Sequence, residues 1–431
     1  MSFIRFNALA ASLLLICTPF LATHSYSEQL YPPFVAKLQP QLAQVGTHKV
    51  GVRTLKVVHG NQLDFRTFEY HDRPLTLEVW YPARASGNER TASYGNVTRK
   101  GKRFSLTGTA FRDAQPLQTE GGFPLVVISH GYTGYRTLMF YLAEHLASHG
   151  YVVAGIDHTD STNADISNGL DDSVGFPSTL YHRSRDQQFA LDYLYNTSFV
   201  HSNLDTDNAG LIGFSMGGYG LINTVGGCYQ FTRESILQLN PDSTAEQISH
   251  FQTLLNTCTA GKASSQPDPR WKAAIALAPW GQQLNLHDRA SLATIKTPLL
   301  YVSGDLDDVS HYPSIERLYQ DTGSRHKYLL TLLNARHNIA PHPAPAVAYE
   351  DAYDLEHYFE PAWSLPQLNQ INRHFALAMM DCHVKNLKDR CKMLELSGNS
   401  GTKPHWPGFP ARFSTGMTWL NGHSSSQASA D

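Results

Sequence analysis

Charge is scarce in this chain. Only 16% of its 431 residues are Asp, Glu, Lys or Arg, and they nearly cancel, 34 basic against 37 acidic for a formal net charge of -3. Without a basic excess, the electrostatic footprint of a nucleic-acid binder is missing. Cysteine is scarce as well: Cys17, Cys228, Cys258, Cys382 and Cys391 are all there is. None stands in a C-x-x-C pair or at zinc-ligand spacing with histidine, which leaves zinc and thioredoxin-type chemistry without support. No internal repeat recurs. Disorder is excluded from the other side, because hydrophobic residues make up 42% of the chain and can bury a substantial core.

The N-terminus reads as an export signal spanning residues 1–27. Arg5 supplies the positive start, residues 8–20 form a short apolar run, and small residues follow at Thr23, Ser25 and Ser27. Pro19 interrupts the run, which is too short to span a bilayer stably. Ile16 is too bulky for the residue before a lipid-anchored cysteine, so Cys17 belongs to the removed segment. The protein is therefore expected in the periplasm or outside the cell. Four cysteines remain, an even number in an oxidising compartment, and two disulfides are expected. Local pairing is preferred, Cys228 with Cys258 and Cys382 with Cys391, with four buried thiols as the other possibility.

After a Pro-containing lead-in, residues 50–58 and 75–81 are candidate strands, rich in β-branched and aromatic side chains. Residues 82–122 are polar, with many Gly and Arg, and read as surface loops. From Phe123 the pattern turns regular. Residues 124–129 (PLVVIS) are almost wholly apolar, as a strand covered on both faces should be. Helical spacing over 138–148 leads through Gly150 to a second such strand at 151–156, and helical spacing returns at 185–195. Further strands are expected at 209–214, 273–277, 299–302 and 328–333. Strands alternating with helices imply an α/β fold, a mainly parallel sheet with helices on both faces. Two pieces fall outside that rhythm. Residues 224–270 carry Cys228 and Cys258 and are helical over 234–255, an insertion expected to lie above the sheet as a lid. Residues 397–431 are a Gly-, Ser- and Pro-rich tail, although Trp406 and Trp419 argue that part of it packs.

Residues 213–217 read Gly-Phe-Ser-Met-Gly, a G-x-S-x-G sequence between a strand and a helix. A serine at such a turn sits on strained backbone, and the glycines let neighbouring chain approach without Cβ clashes. Ser215 is thereby exposed as a nucleophile, and the Met216 amide faces the oxyanion that develops on attack. The loop after PLVVIS, residues 130–134, should bring a second oxyanion donor, the Tyr132 amide, with His130 as a loop-fixing residue. An acid must follow a later strand. Residues 297–308 read TPLLYVSGDLDD, and the spacing beyond Gly304 selects Asp307 over Asp305 and Asp308. A solvated or cation-binding cluster is the other reading of those aspartates. The base comes last: His337, in the turn after the 328–333 strand, with His342 in reserve. Serine, acid and histidine then follow in the order that acyl-transfer chemistry on such a sheet uses.

The segments PLVVISHGYTGYRT, LASHGYVVAGIDH, SRDQQFALDYL, GFSMGG and APW resemble those of bacterial cutinase-like polyester hydrolases, members of the α/β-hydrolase superfamily. The first two, with LEVWYPAR before them, are equally similar to platelet-activating-factor acetylhydrolases and the dienelactone-hydrolase-like proteins related to them. The resemblance runs from about Val50 to Pro341. It implies an α/β-hydrolase catalytic domain over residues 28–396, a triad of Ser215, Asp307 and His337, and oxyanion amides at Tyr132 and Met216. It also implies that Trp280 forms an aromatic wall beside the acyl group. The activity implied is a serine carboxylic ester hydrolase acting on lipid, short-acyl or polyester substrates, with no cofactor and no metal. Two departures matter. The eukaryotic acetylhydrolases carry their acid one strand earlier, where this chain has Ala278, and dienelactone hydrolases use cysteine where Ser215 stands. An amidase or peptidase on the same triad, and a silent hydrolase-like binding protein, are the alternatives.

Overall fold

Residues of one strand alternate between two cores: Leu125 and Val127 pack on one side, Val126 and Ile128 on the other. That two-residue period, apolar in both phases, is what buries a strand on both faces. The computed structural model describes residues 27–84, 89–259, 262–263, 266–412 and 414–422. The expected export signal, apart from Ser27, and the end of the tail lie outside them.

In chain order, β1 (Lys49–Leu63), β2 (Tyr70–Arg84), β3 (Thr91–Val97), β4 (Arg103–Arg112) and the short β5 (Gln115–Pro116) come first. Next are β6 (Phe123–Ser129), α1 (Phe140–Ser148), β7 (Val152–Asp157), α2 (Asn163–Ser167), α3 (Asp172–Asn196), β8 (Leu204–Phe214) and α4 (Met216–Thr224). An excursion holds α5 (Arg233–Leu239), α6 (Ala245–Leu255) and the hairpin of β9 (Cys258–Thr259) and β10 (Lys262–Ala263). The alternation resumes with β11 (Trp271–Leu277), α7 (Arg289–Leu292), β12 (Leu299–Gly304), α8 (Tyr312–Asp321) and β13 (Lys327–Leu332). Last are α9 (Ala352–Leu355), α10 (Leu365–His383), α11 (Lys388–Cys391), β14 (Gly398–Asn399) and β15 (Met417–Asn421).

The main sheet runs β14-β15-β13-β12-β11-β8-β6-β7-β2-β1-β4-β3, with β5 beside β2. From β13 to β7 every neighbouring pair is parallel. The flanks are antiparallel, except for a short parallel contact between β1 and β4. The sheet is thus mixed, parallel only in its middle. Helices α1 and α10 cover one face, while α3, α4 and α8 cover the other. From β6 the chain moves to one side for β7 and then returns to the other for β8. Such a reversal opens a crevice at the strands' carboxyl ends, the usual ligand position in this kind of sheet.

Two expectations need correction. Residues 82–122 are not loops: β3 and β4 pair antiparallel, with Ala92, Tyr94, Phe104, Leu106 and Ala110 turned inward. Their alternate-residue period is present in the sequence, but intervening Gly, Ser and Arg obscure it. Helix α3 starts well before residue 185 and tolerates Pro177 in its second turn. Its start is fixed by Asp171, whose side chain accepts from the Ser173 amide as an N-cap. The tail also contributes structure, because β15 pairs antiparallel with β13 and buries Trp419 beside Trp406 and Phe375.

The disulfides join Cys228 to Cys258 and Cys382 to Cys391. The first clips the excursion between α4 and β11. There α5 and α6 contribute Ile236, Ile248 and Leu255 to a third, smaller apolar cluster with Leu180, Met216 and Tyr219.

Candidate active site

Ser215 stands between β8 and α4 with φ 53° and ψ -114°, a conformation that L-residues rarely adopt. The surroundings hold it there. Its amide donates to the Leu277 carbonyl at 2.9 Å, and its own carbonyl accepts from Tyr219 at 3.0 Å and Trp280 at 3.1 Å. Close packing makes a small residue necessary at Gly217, where a Cβ would lie 2.1 Å from the Ser129 carbonyl oxygen. The turn is thus pressed between the end of β6 and the end of β11, and Ser215 keeps 6% of its surface exposed.

The Ser215 hydroxyl lies 3.0 Å from His337 Nε2. On the other side of that ring, Nδ1 lies 3.0 Å and 3.1 Å from the two oxygens of Asp307. Asp307 is 4% exposed, and its carboxylate also accepts from the amides of Val309 (3.0 Å) and Ser310 (2.8 Å). A carboxylate held by that many donors orients the imidazole so that Nδ1 carries the proton and Nε2 is free to accept the serine's. Asp307 and His337 come from different loops, brought together at Gly304. A Cβ there would stand 2.1 Å from the Ala335 carbonyl oxygen, and the Leu306 amide donates to that same oxygen at 3.0 Å. Neighbouring Asp305 and Asp308 serve elsewhere. Asp305 accepts from the Asn334 amide at 2.6 Å, and Asp308 pairs with Arg336 at the surface. The Glu360 carboxylate, raised by burial, accepts from the Arg336 amide at 2.8 Å and so braces the residue before His337.

Residues 130–134 follow β6 directly beside the serine: a Cβ on Gly131 would lie 3.1 Å from the Ser215 Cβ. Among the described residues, neither the Tyr132 nor the Met216 amide finds a hydrogen-bond acceptor. Unpaired backbone donors at the start of a helix and in the neighbouring loop are groups able to bind negative charge. His130 Nδ1 donates to the Gly131 carbonyl at 2.6 Å and its Nε2 accepts from the His158 amide at 3.3 Å. Both ring nitrogens are engaged in shaping the loop, and burial holds the ring well below the usual histidine range. His342 is packed away, bonded to the Tyr135 hydroxyl at 2.6 Å and to the Pro343 carbonyl.

Trp280 is half-buried beside the serine. Its ring meets Tyr219 at 6.0 Å and Phe176 at 5.5 Å between centroids. Below the loop, α3 supplies residues that sequence reasoning passed over. Arg183 donates to the His130 carbonyl at 3.1 Å and to the Ser161 hydroxyl at 2.8 Å, and Gln187 donates to the Gly217 carbonyl at 2.9 Å. Asp186 joins Arg73 and His158. Burial would raise the Asp186 carboxyl, but the Arg73 guanidinium overrides it and holds it well below the usual range. The available signal was the run of polar residues from His182 to Gln187, ahead of the apolar stretch Phe189 to Leu191.

Among the described residues, no group of three or more His, Cys, Asp or Glu is arranged to hold a metal ion. No described helix is long and apolar enough to cross a membrane.

Comparison with known proteins gives a consistent neighbourhood. The sequence profile of the family "Platelet-activating factor acetylhydrolase, isoform II" matches residues 36–176. Cutinase 2 of Thermobifida cellulosilytica is 26% identical over 231 residues, 53% of this chain and 65% of the relative. The platelet-activating factor acetylhydrolase of Cavia porcellus is 30% identical over 125 residues, 28% of this chain and 29% of its own length. The chain thus spans less than two thirds of either relative. Among solved structures, a ferulic acid esterase from Streptomyces cinnamoneus superposes with a TM-score of 0.53 at 18% identity, covering 84% of this chain and 94% of that one.

Proposed function

We propose that this chain, which has the α/β-hydrolase fold, is a serine carboxylic ester hydrolase whose triad is Ser215, His337 and Asp307. The observation that carries this is the unbroken series of contacts from the Ser215 hydroxyl through His337 to Asp307, at 3.0 Å and 3.0–3.1 Å. His337 Nε2 takes the serine proton as the oxygen attacks the ester carbonyl. The Tyr132 and Met216 amides stabilise the oxyanion of the tetrahedral adduct, each worth about 3 kcal/mol of barrier in comparable sites. The imidazolium then protonates the departing alcohol, leaving an acyl group on Ser215. Water, deprotonated by the same ring, releases the acid and restores the enzyme.

Cutinases, an acetylhydrolase and a ferulic acid esterase among its likenesses support ester rather than amide substrates. In this reading α5 and α6, tied down by Cys228–Cys258, form a lid whose apolar side reaches Met216. Such a covered site favours lipid or small esters over an extended polymer. The disulfides, and the export-signal pattern expected of the N-terminal sequence, support an exported enzyme. The test is release of p-nitrophenol from its acetate and butyrate esters. Activity lost by a factor of about 10⁴ or more in Ser215→Ala supports the assignment; equal activity in both proteins removes it.

A further inference from the structure

Three aromatic rings meet beside the nucleophile, and only two belong to the motifs that announced the site. Trp280 is tied to Ser215 through its backbone amide, at 3.1 Å from the serine carbonyl oxygen. Tyr132 carries the loop amide that faces the oxyanion. The third ring is Phe176, on the second turn of α3. It stands edge-on to both others, 5.4 Å from Tyr132 at 81° and 5.5 Å from Trp280 at 90°. At these separations aromatic edges and faces are in van der Waals contact, with no room for an alkyl chain between them.

The neighbours of Phe176 are not free to move aside. The Tyr132 hydroxyl donates to Asp172 at 2.6 Å, one turn earlier on the same helix. Gly175 lets that helix press against the ring, since a Cβ there would lie 3.1 Å from the Tyr132 hydroxyl oxygen and 2.9 Å from the Asp160 carbonyl oxygen. On the other side, the Trp280 ring leans on Tyr219, which is fully buried. Tyr132 and Trp280 are thus each braced from outside, and Phe176 fills the space between the two rings. Phe176 itself is only partly buried, so part of its surface is open to solvent.

We propose that Phe176 is the end wall of the acyl pocket and sets the length of acyl chain accepted, restricting this enzyme to short-acyl esters. The proposal rests on Ser215 being the nucleophile. The benzyl group occupies the volume of several methylenes, and each methylene buried in its place would raise kcat/KM about fourfold.

The experiment measures kcat/KM for p-nitrophenyl acetate, butyrate, hexanoate and octanoate with the full chain, Phe176→Ala, Phe176→Leu and Ser215→Ala. In the unsubstituted protein kcat/KM should fall beyond butyrate. The ratio of octanoate to acetate should rise at least tenfold in Phe176→Ala, mainly through KM, and by less in Phe176→Leu. A ratio unchanged in Phe176→Ala, or in Phe176→Leu if the alanine variant fails to fold, overturns the proposal while leaving the nucleophile intact. Octanoate turned over as well as acetate by the unsubstituted protein overturns it too. Activity that survives in Ser215→Ala, or is missing throughout, ends both assignments together.

Discussion

Arg183 Nη1 donates to the His130 carbonyl oxygen at 3.1 Å, joining the buried middle of α3 to the loop that carries the Tyr132 amide. The guanidinium is 1% exposed, so this bond works in a medium that screens charge poorly. Its second donor reaches Ser161, and the two together fix where the loop sits against the sheet. Lysine cannot reproduce a two-pronged donor of that shape. Arg183→Lys is expected to lower kcat for a short ester about tenfold or more. Melting temperature should drop by several degrees, because a buried charge loses part of its pairing. Unchanged kcat in a folded variant would show that the loop holds its place without this arginine.

Three neighbouring aspartates separate cleanly by what they touch. Asp307→Asn should cost about 10³- to 10⁴-fold in kcat, since an amide no longer holds the imidazole in the right tautomer. Asp308→Asn should change kcat by less than threefold, because its Arg336 partner and the carboxylate are both more than half exposed, at 52% and 58%. Asp305→Asn falls nearer the second, as an amide oxygen can still accept from Asn334. Steady-state kinetics on the three variants checks the ranking, and comparable losses would reopen the choice of acid.

Gly304→Ala tests how the acid and base loops are brought together. The new methyl would meet the Ala335 carbonyl oxygen at 2.1 Å, so one loop has to move. Either movement lengthens the Asp307–His337 contact. The expected result is a kcat loss of at least 100-fold with KM nearly constant, in a protein whose far-ultraviolet circular dichroism is unaltered. Full activity would mean that the loops adjust independently.

Stability should fall steeply in acid. Burial lowers His158, His182, His287 and His374 to about 3, and His342 to about 4. In the unfolded chain each titrates near 6.5. Between about pH 6.5 and pH 4 the unfolded state therefore binds protons that the folded state refuses, and stability drops as pH falls. Above that window these rings are neutral in both states and contribute no slope. Each such histidine adds about 1.4 kcal/mol per pH unit inside the window. Calorimetric melts from pH 8 to pH 4.5 measure it; a melting temperature as high at pH 5 as at pH 7.5 would contradict the assignment.

The residues of the proposed triad were more legible in the sequence than their supports. A serine between glycines after an apolar strand, an aspartate past a strand-end glycine and a late histidine are each set by local backbone needs, and local needs leave short-range patterns. The parallel strands were legible for the same reason, being apolar in both phases. Tyr94 and Phe104 were harder to place. Their strands face a core on one side only, and Gly, Ser and Arg between the inward residues imitate a loop. Phe176, Arg183 and Asp186 were invisible as site residues because their meaning depends on what α3 packs against. Pro177 further disguised the helix that carries them.

The edge pairing of β13 with β15 has a consequence in time. Every group assigned to the chemistry lies before residue 340, yet the strand leading to His337 stays unpaired along one side until residues 417–421 arrive. A polypeptide cut or stalled short of them would hold the parts for catalysis beside an open row of amides and carbonyls, which another molecule's strand can occupy. For such a fragment, self-association competes with turnover, and a short C-terminal truncation should reveal itself first as aggregation.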